Sequence, residues 1–422
     1  MSHRSTGVLR LLQRHPVSQA LLAASAGSEC HLVGGVVRDR LLGLPCADFD
    51  AVVERDGEAI AQRLARSLPA RPVRLGGKEF AAYRLVGSDF ELDLWDRQGG
   101  SLAADLLRRD FTVNALALDL RSGALADPHG GLRDLQDRIL RAVGPDSFAG
   151  DPLRVLRLPR LLLQLPGFAA DPATVDLARR QTVRLTEVAA ERVREELARI
   201  LRSGEAHRGV ALLEALHVYP GLWLGRPGEP VVIDHTIGEL EWLGPCALAV
   251  RRGAPAGVAA DPDLEAARWG LVFASLPQPL ETLRRFARAG YVLRQRADEA
   301  AALLHWEDLP AGELLQRRFL HDCGALWPTA AAFLGARHAA RGEVAAWTSW
   351  LRETMSVLER VGAWILDPPA LLTGHEVQRE LGLAAGPEVG RALALVRQAQ
   401  VDGTVADRAT ALALLRRKAA PG

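Results

Sequence analysis

Only one stretch of this 422-residue chain, residues 30 to 140, carries convincing strand-forming sequence. His31 to Val37, Phe49 to Val53, Phe80 to Val86 and Phe90 to Trp95 are short runs rich in β-branched and aromatic residues, and Glu58 to Ser67 interrupts them with helical spacing. Residues 1 to about 30 are predicted helical, with Pro16 near a helix start. Beyond Pro145 the pattern is helical almost throughout, in Thr174 to Thr182, Glu187 to Arg202 and Arg208 to Leu216 among others. A chain of this length is too long for one core and is expected to divide into several domains. Breaks are expected at the Gly- and Pro-rich stretch Pro220 to Pro230, around Arg252 to Pro262, and at Asp367-Pro368-Pro369. The fold class is therefore α+β and mostly α, with a small mixed sheet confined to the N-terminal part.

Inside the strand-bearing stretch, Val33-Gly34-Gly35-Val36-Val37-Arg38-Asp39 leads to Asp48-Phe49-Asp50. Alternate side chains of a strand share a face, so Asp48 and Asp50 point together while Phe49 turns into the core. Two carboxylates about 5 Å apart repel by roughly 3 kcal/mol at an effective dielectric near 20, which a bound Mg²⁺ turns into attraction. The plainer reading is a Gly-Gly turn followed by solvated strand carboxylates, and partners elsewhere must decide between the two. Phe90-Glu91-Leu92-Asp93-Leu94-Trp95 alternates until its last residue, placing Glu91 and Asp93 on one face; Asp93 is a candidate third carboxylate of a metal cradle. Arg108-Arg109-Asp110-Phe111-Thr112-Val113-Asn114 offers arginine forks for phosphate oxygens and Asp or Asn acceptors for ribose hydroxyls.

Composition narrows the setting. Fifty-two basic and 51 acidic residues leave a net charge of +1, so any nucleic-acid surface must come from local arginine clusters. Four scattered cysteines without a CxxC pair argue against a disulfide framework or a zinc site and fit a reducing compartment. No apolar run reaches the length of a membrane span and no secretory signal is seen, so a cytoplasmic protein is expected.

Five motifs in order make the chain resemble a known family. These are Gly34-Gly35-x-x-Arg38-Asp39 to Asp48-x-Asp50, Arg108-Arg109-Asp110-Phe111-Thr112-x-Asn114-Ala115, Asp127-Pro128-x-Gly130-Gly131, Asp151-Pro152-x-Arg154-x-x-Arg157, and Glu191-Arg192-x-x-Glu195-Glu196-Leu197. Together they resemble the class II tRNA nucleotidyltransferases and bacterial poly(A) polymerases, with tail signatures at Leu372-Thr373-Gly374 and Gly386-Pro387-x-x-Gly390. The resemblance implies a nucleotidyltransferase head over 1–145, a helical neck that reads the base over 146–218, a helical body over 219–366 and a tRNA-binding tail over 367–422. It implies transfer of C or A from CTP or ATP to the 3′ end of tRNA. Asp48 and Asp50 would bind Mg²⁺, Asp93 would take the third carboxylate position, and Gly34, Gly35 and Arg38 would hold the triphosphate. Arg109, Asp110 and Asn114 would contact phosphate or ribose. Asp151 and Arg154, expected three apart on one helix face, would read the base, with Arg157 beside them; by spacing alone that pair is a surface ion pair worth about 0.3–0.5 kcal/mol.

Three departures qualify the resemblance. Gly150 stands where many relatives carry an acidic residue. Only fifteen residues separate Asp93 from Arg109, including Gln98-Gly99-Gly100-Ser101, which makes a CC-adding specialist an alternative. A poly(A) polymerase of the same fold and an inactive RNA-binding relative are the others. Asp234-His235-Thr236 resembles the start of a metal-dependent phosphohydrolase module, yet the expected His-Asp pair is replaced within Trp269 to Ser275. His321-Asp322 is read as a helix-surface pair rather than a metal site.

Overall fold

The computed structural model describes residues 3–25, 27–76, 81–97, 100–218, 234–276 and 278–419. The chain divides into two compact units, Met1–Ala189 with Leu216–Gly228, and Ala190–Ala215 with Glu229–Gly422. The expected break at 220–230 and the start of the strand expected at Phe80 lie outside the described residues.

The first unit opens with two helices, α1 (His3–Gln13) and α2 (Pro16–Ala24), in the region expected to be helical with a start near Pro16. Pro16 sits at the first position of α2, where its missing N–H costs nothing, and so starts a new helix. The sheet follows: β1 (Cys30–Val33), β2 (Asp48–Val53), β3 (Pro72–Gly76), β4 (Ala81–Val86), β5 (Glu91–Asp96), β6 (Ala117–Asp119) and β7 (Leu125–Ala126). Its order is β3-β4-β5-β2-β1-β6-β7. Strands β2 and β5 run parallel and the remaining pairs are antiparallel, so the sheet is mixed, as expected.

The strand expected over His31 to Val37 ends at Val33. Gly34 adopts φ 75°, a backbone conformation that reverses the chain at no steric cost, and α3 (Gly35–Leu42) begins at the next residue. Tertiary packing thus overrides the β preference of Val36 and Val37, which are buried in a helix. Helix α3 stops at Gly43, left-handed at φ 77°, with Leu44 N–H bonding Asp39 C=O at 2.8 Å. Helix α4 (Gly57–Ser67) buries Ile60, Ala61 and Leu64. Strand β3 was not expected; it is an edge strand with Val73 exposed and no alternation to reveal it. Helix α5 (Leu102–Leu107) is capped by Ser101 Oγ on Ala104 N–H, and α6 (Gly131–Asp137) and the single turn α7 (Ser147–Gly150) lead to α8 (Arg154–Gln164).

The second unit is helical throughout its described residues. Helix Trp327–Ala340 is buried along almost its whole length and packs with helices Asp234–Gly253, Leu264–Ala274 and Val344–Val361. The last three helices, Gly374–Leu381, Pro387–Val401 and Arg408–Ala419, close over Leu372, Val377, Val396, Ala411 and Leu415. Thr373 and Glu376 form a capping box at the first of them.

Candidate active site

Strand register builds the floor of the site. Asp50 pairs with Val33 on one side and lies level with Asp93 of parallel β5 on the other, while Val52 lies level with Trp95. Asp48, Asp50 and Val52 thus share one face of the sheet with Glu91, Asp93 and Trp95. Phe49 faces away and is buried, as the alternation required.

A cleft of about 660 Å³ opens over this floor, and it is lined by Gly34, Gly35, Arg38, Asp48, Asp50, Arg109, Asp110, Asn114, Asp151, Arg154 and Arg157. The structure therefore gathers every expected site residue but Asp93 into one cavity. Asp93 sits beside Asp50 but turns both oxygens to Arg84, at 2.8 and 2.7 Å, and Arg84 also reaches Glu91 at 2.8 Å.

The glycine turn fits closely around the acidic floor. A methyl group on Gly34 would lie 3.0 Å from Asp50 Oδ2 and 3.2 Å from Arg109 Nη1, so only glycine lets the chain pass here. Arg109 Nη1 stands 3.9 Å from Asp50 Oδ2, and its guanidinium lies over the Trp95 ring at 4.9 Å. Burial of Asp50 in the cleft holds its carboxyl above the usual range; Arg109 opposes that shift, and Asp93 and Asp48 reinforce it. A carboxylate in that position gains from any cation delivered to it.

Behind the cleft wall runs a buried polar chain. Arg38, almost fully buried, gives its Nε–H to Asp39 Oδ1 at 2.7 Å and its Nη1–H to Asn114 Oδ1. Asn114 Nδ2–H donates to Asp110 Oδ1 at 2.8 Å, which also accepts from Phe111 N–H at 2.8 Å. Asp110 Oδ2 pairs with Arg157 Nη2 at 2.7 Å. Burial alone would raise the Asp110 carboxyl, but Arg157, the Asn114 amide and the Phe111 N–H outweigh it and hold it below the usual range. Arg38 and Asp110 thus spend their hydrogen bonds on this chain, which links the glycine turn to α8.

Helix α8 forms the far wall. It begins at Arg154, so Asp151 lies just outside it, correcting the expectation that both share a helix face. Asp151 Oδ1 instead accepts from Leu153 N–H at 3.2 Å and turns the chain into the helix. Arg154 Nη1 donates to Ser147 C=O at 2.7 Å and Nη2 to Arg108 C=O. Nothing stands within 4 Å of where a Gly150 side chain would begin, so the missing acidic residue leaves open space there. Sequence reasoning missed Trp95, Arg160 and Gln164, which also line the cleft. The signals existed: Trp95 is the apolar residue on the polar face of its strand, and 154, 157, 160 and 164 repeat at helical spacing.

Among the described residues no group of three or more His, Cys, Asp or Glu side chains could hold a metal. Asp48 and Asp50 nevertheless fit a magnesium ion, which binds through one or two carboxylates and takes its remaining ligands from phosphates and water. The phosphate donors it needs would arrive in the same cleft.

Comparison with known proteins places the chain among known relatives. Residues 30–94 and 78–141 match the poly A polymerase head domain, and residues 167–223 match the probable RNA and SrmB-binding site of polymerase A. The chain is 34% identical to an A-adding tRNA nucleotidyltransferase of Deinococcus radiodurans, over 92% of this chain and 94% of that one. It is 31% identical to a CC-adding tRNA nucleotidyltransferase of Geobacter sulfurreducens, over 94% of each. The Thermotoga maritima CCA-adding enzyme complexed with tRNA shares the fold at a TM-score of 0.59 and 21% identity, over 95% of this chain and 94% of that one.

Proposed function

The chain belongs to the family of tRNA nucleotidyltransferases and bacterial poly(A) polymerases, and on that footing we propose that it adds C, A or both to the 3′ end of tRNA without a nucleic-acid template. The observation that carries this reading is the single cleft in which a carboxylate pair, a glycine turn, an arginine at the acidic floor and the Asp151–Arg154 wall converge. Each serves a different part of one substrate, a nucleoside triphosphate beside an RNA end.

In this reading the RNA 3′-hydroxyl attacks the α-phosphorus of CTP or ATP and pyrophosphate leaves. Asp48 and Asp50 would hold Mg²⁺, which would supply charge to activate the hydroxyl and offset the triphosphate. Gly34 and Gly35 let phosphate oxygens approach the main chain, and Arg109 offers them its guanidinium fork. Arg38, Asn114 and Asp110 hold the turn and the opposite wall at a fixed separation, so that catalysis is mainly positioning and electrostatics. Asp151 accepts from the exocyclic amino group that cytosine and adenine share, while Arg154 donates to ring acceptors, which disfavours uracil and guanine. Residues 1–145 act as head, 146–218 as neck, 219–366 as body and 367–422 as tail, the helical parts gripping the tRNA acceptor arm by shape and phosphate contacts. Among the described residues no helix is long and apolar enough to cross a membrane; action in the cytoplasm, where the substrates are, belongs to the same proposal.

The test is to incubate the protein and Mg²⁺ with tRNAs ending at the discriminator base, at C and at CC, giving each nucleotide separately. CCA addition extends all three. The short segment between Asp93 and Arg109 favours a second reading, CC addition, in which ATP is left unused on every end. Unlimited adenylation of an RNA without a tRNA-like end identifies a poly(A) polymerase, and no incorporation on any substrate overturns the proposal. Asp151→Ala is expected to lose discrimination against UTP and GTP.

A further inference from the structure

Among the described residues no hydrogen bond holds the guanidinium of Arg109, the arginine that faces Asp50. Arg109 Nη1 stands 3.9 Å from Asp50 Oδ2, and Nη2 stands 4.0 Å from Asp105 Oδ2, both beyond hydrogen-bond reach. Nη2 is buried with no hydrogen-bond partner, and the side chain as a whole is only 17% exposed. What fixes it is a ring: the guanidinium carbon lies 4.9 Å from the centroid of Trp95. Trp95 is in turn fixed, because it packs on the buried cluster of Val33, Val52, Leu106, Ala115 and Ala117, and its strand register sets it level with Val52.

We propose that Trp95 is a positioning residue for nucleotide binding: its ring, in place of a hydrogen-bonded carboxylate, holds the Arg109 guanidinium at the cleft wall, where it can meet the phosphates. The proposal rests on the nucleotidyl-transfer reading above. A stacked arginine keeps its in-plane N–H groups free, because the ring contacts only its face. A salt bridge in the same place would spend those donors on a carboxylate before any phosphate arrived. Asp105, itself buried, supplies negative charge 4.0 Å from Arg109 Nη2. The aromatic residue on an otherwise acidic strand face is thereby explained.

The rival role for Trp95, stacking on the nucleobase, predicts a different ligand dependence. The experiment measures equilibrium binding of CTP, ATP and inorganic tripolyphosphate to the full-length protein with Mg²⁺ and no RNA, so that no turnover occurs. Trp95→Leu is expected to bind CTP, ATP and tripolyphosphate alike about tenfold more weakly, the size of a partly desolvated cation–π contact. Trp95→Phe, which keeps a ring face, is expected to recover most of that loss. In an Arg109→Lys background, where the guanidinium–ring contact is already gone, Trp95→Leu is expected to add nothing. Should Trp95→Leu fail to fold, Trp95→Met keeps the volume without the ring and is measured instead. Unchanged binding in the ring-less variant, or weaker CTP binding with tripolyphosphate unaffected, overturns the proposal while leaving the nucleotidyl-transfer reading intact. A wild-type protein that binds none of the three ligands overturns both.

Discussion

The cleft of the first unit and the helical core of the second arrange their buried polarity differently. In the first, Arg38 and Asp110 are almost fully buried and joined through Asn114 to Arg157, a chain of charges and amides along the cleft. In the second, Trp269, Leu271, Val272 and Phe273 are buried, and the buried polar groups meet in pairs: the Thr236 and Ser275 hydroxyls bond each other, and Arg337 stands 3.6 Å from Glu239. Two neutral hydroxyls satisfy one another at little desolvation cost, whereas a buried ion pair repays its desolvation only with good geometry and further hydrogen bonds. Both units retain buried charge; the first joins it into one chain along the cleft, and the second sets it as pairs such as Arg337–Glu239 between packed helices. His321 and Asp322, on helix Glu313–Cys323 of the second unit, lie respectively half-buried and exposed.

The largest effect is expected from Asp50→Ala. Nucleotide incorporation should fall by at least about 10³-fold, the scale of losing metal-ion charge stabilisation, while thermal unfolding stays unchanged or improves. Primer extension beside a melting curve measures both, and an active Asp50→Ala enzyme would remove the contrast between the units. Gly34→Ala comes next. Its φ of 75° and the 3.0 Å approach to Asp50 Oδ2 imply about 1–3 kcal/mol of strain, so incorporation should fall by about 10- to 100-fold and the melting point by a few degrees.

Third is an acid dependence. The Asp110 carboxyl is held below its unfolded value of about 3.9, so its charged form contributes stability at neutral pH, which is lost as pH falls from about 4 through the lowered folded value. Hydrogen exchange of the Phe111–Asn114 amides, compared at pH 6 and as far below pH 4 as the fold survives, should show an extra loss of protection that Asp110→Asn lacks. An equal acid response in Asp110→Asn would mean the buried chain is not held by that charge. The smallest effect belongs to the second unit: Ser275→Ala should cost about 1 kcal/mol of stability and leave nucleotide incorporation untouched.

Much of the site was legible because its signals are local. Glycine followed by glycine, carboxylates two apart and adjacent arginines state their chemistry in a few residues, and strand alternation places Asp48 and Asp50 on one face with Phe49 opposite. What misled was equally local. Val36 and Val37 read as strand because they are β-branched, until Gly34 turns the chain and helix α3 buries them. Asp151 at helical spacing from Arg154 read as a helix-face partner, although the helix begins only at Arg154. Strand β3 gave no alternation because both its faces are largely open to solvent.

The sequence by itself determined the inventory: a mixed-sheet head, a helical remainder, and a set of carboxylates, glycines and arginines suited to a triphosphate and its metal. Only the tertiary structure decided the partnerships. Arg38 meets Asn114 across 76 residues of chain, Arg157 meets Asp110, Asp93 turns to Arg84, and Arg109 settles on Trp95. Spacing tells which face a side chain takes, because helix and strand periods are set by the backbone. Which charge it meets there depends on surfaces brought together from distant parts of the chain, where burial makes the choice of partner matter most.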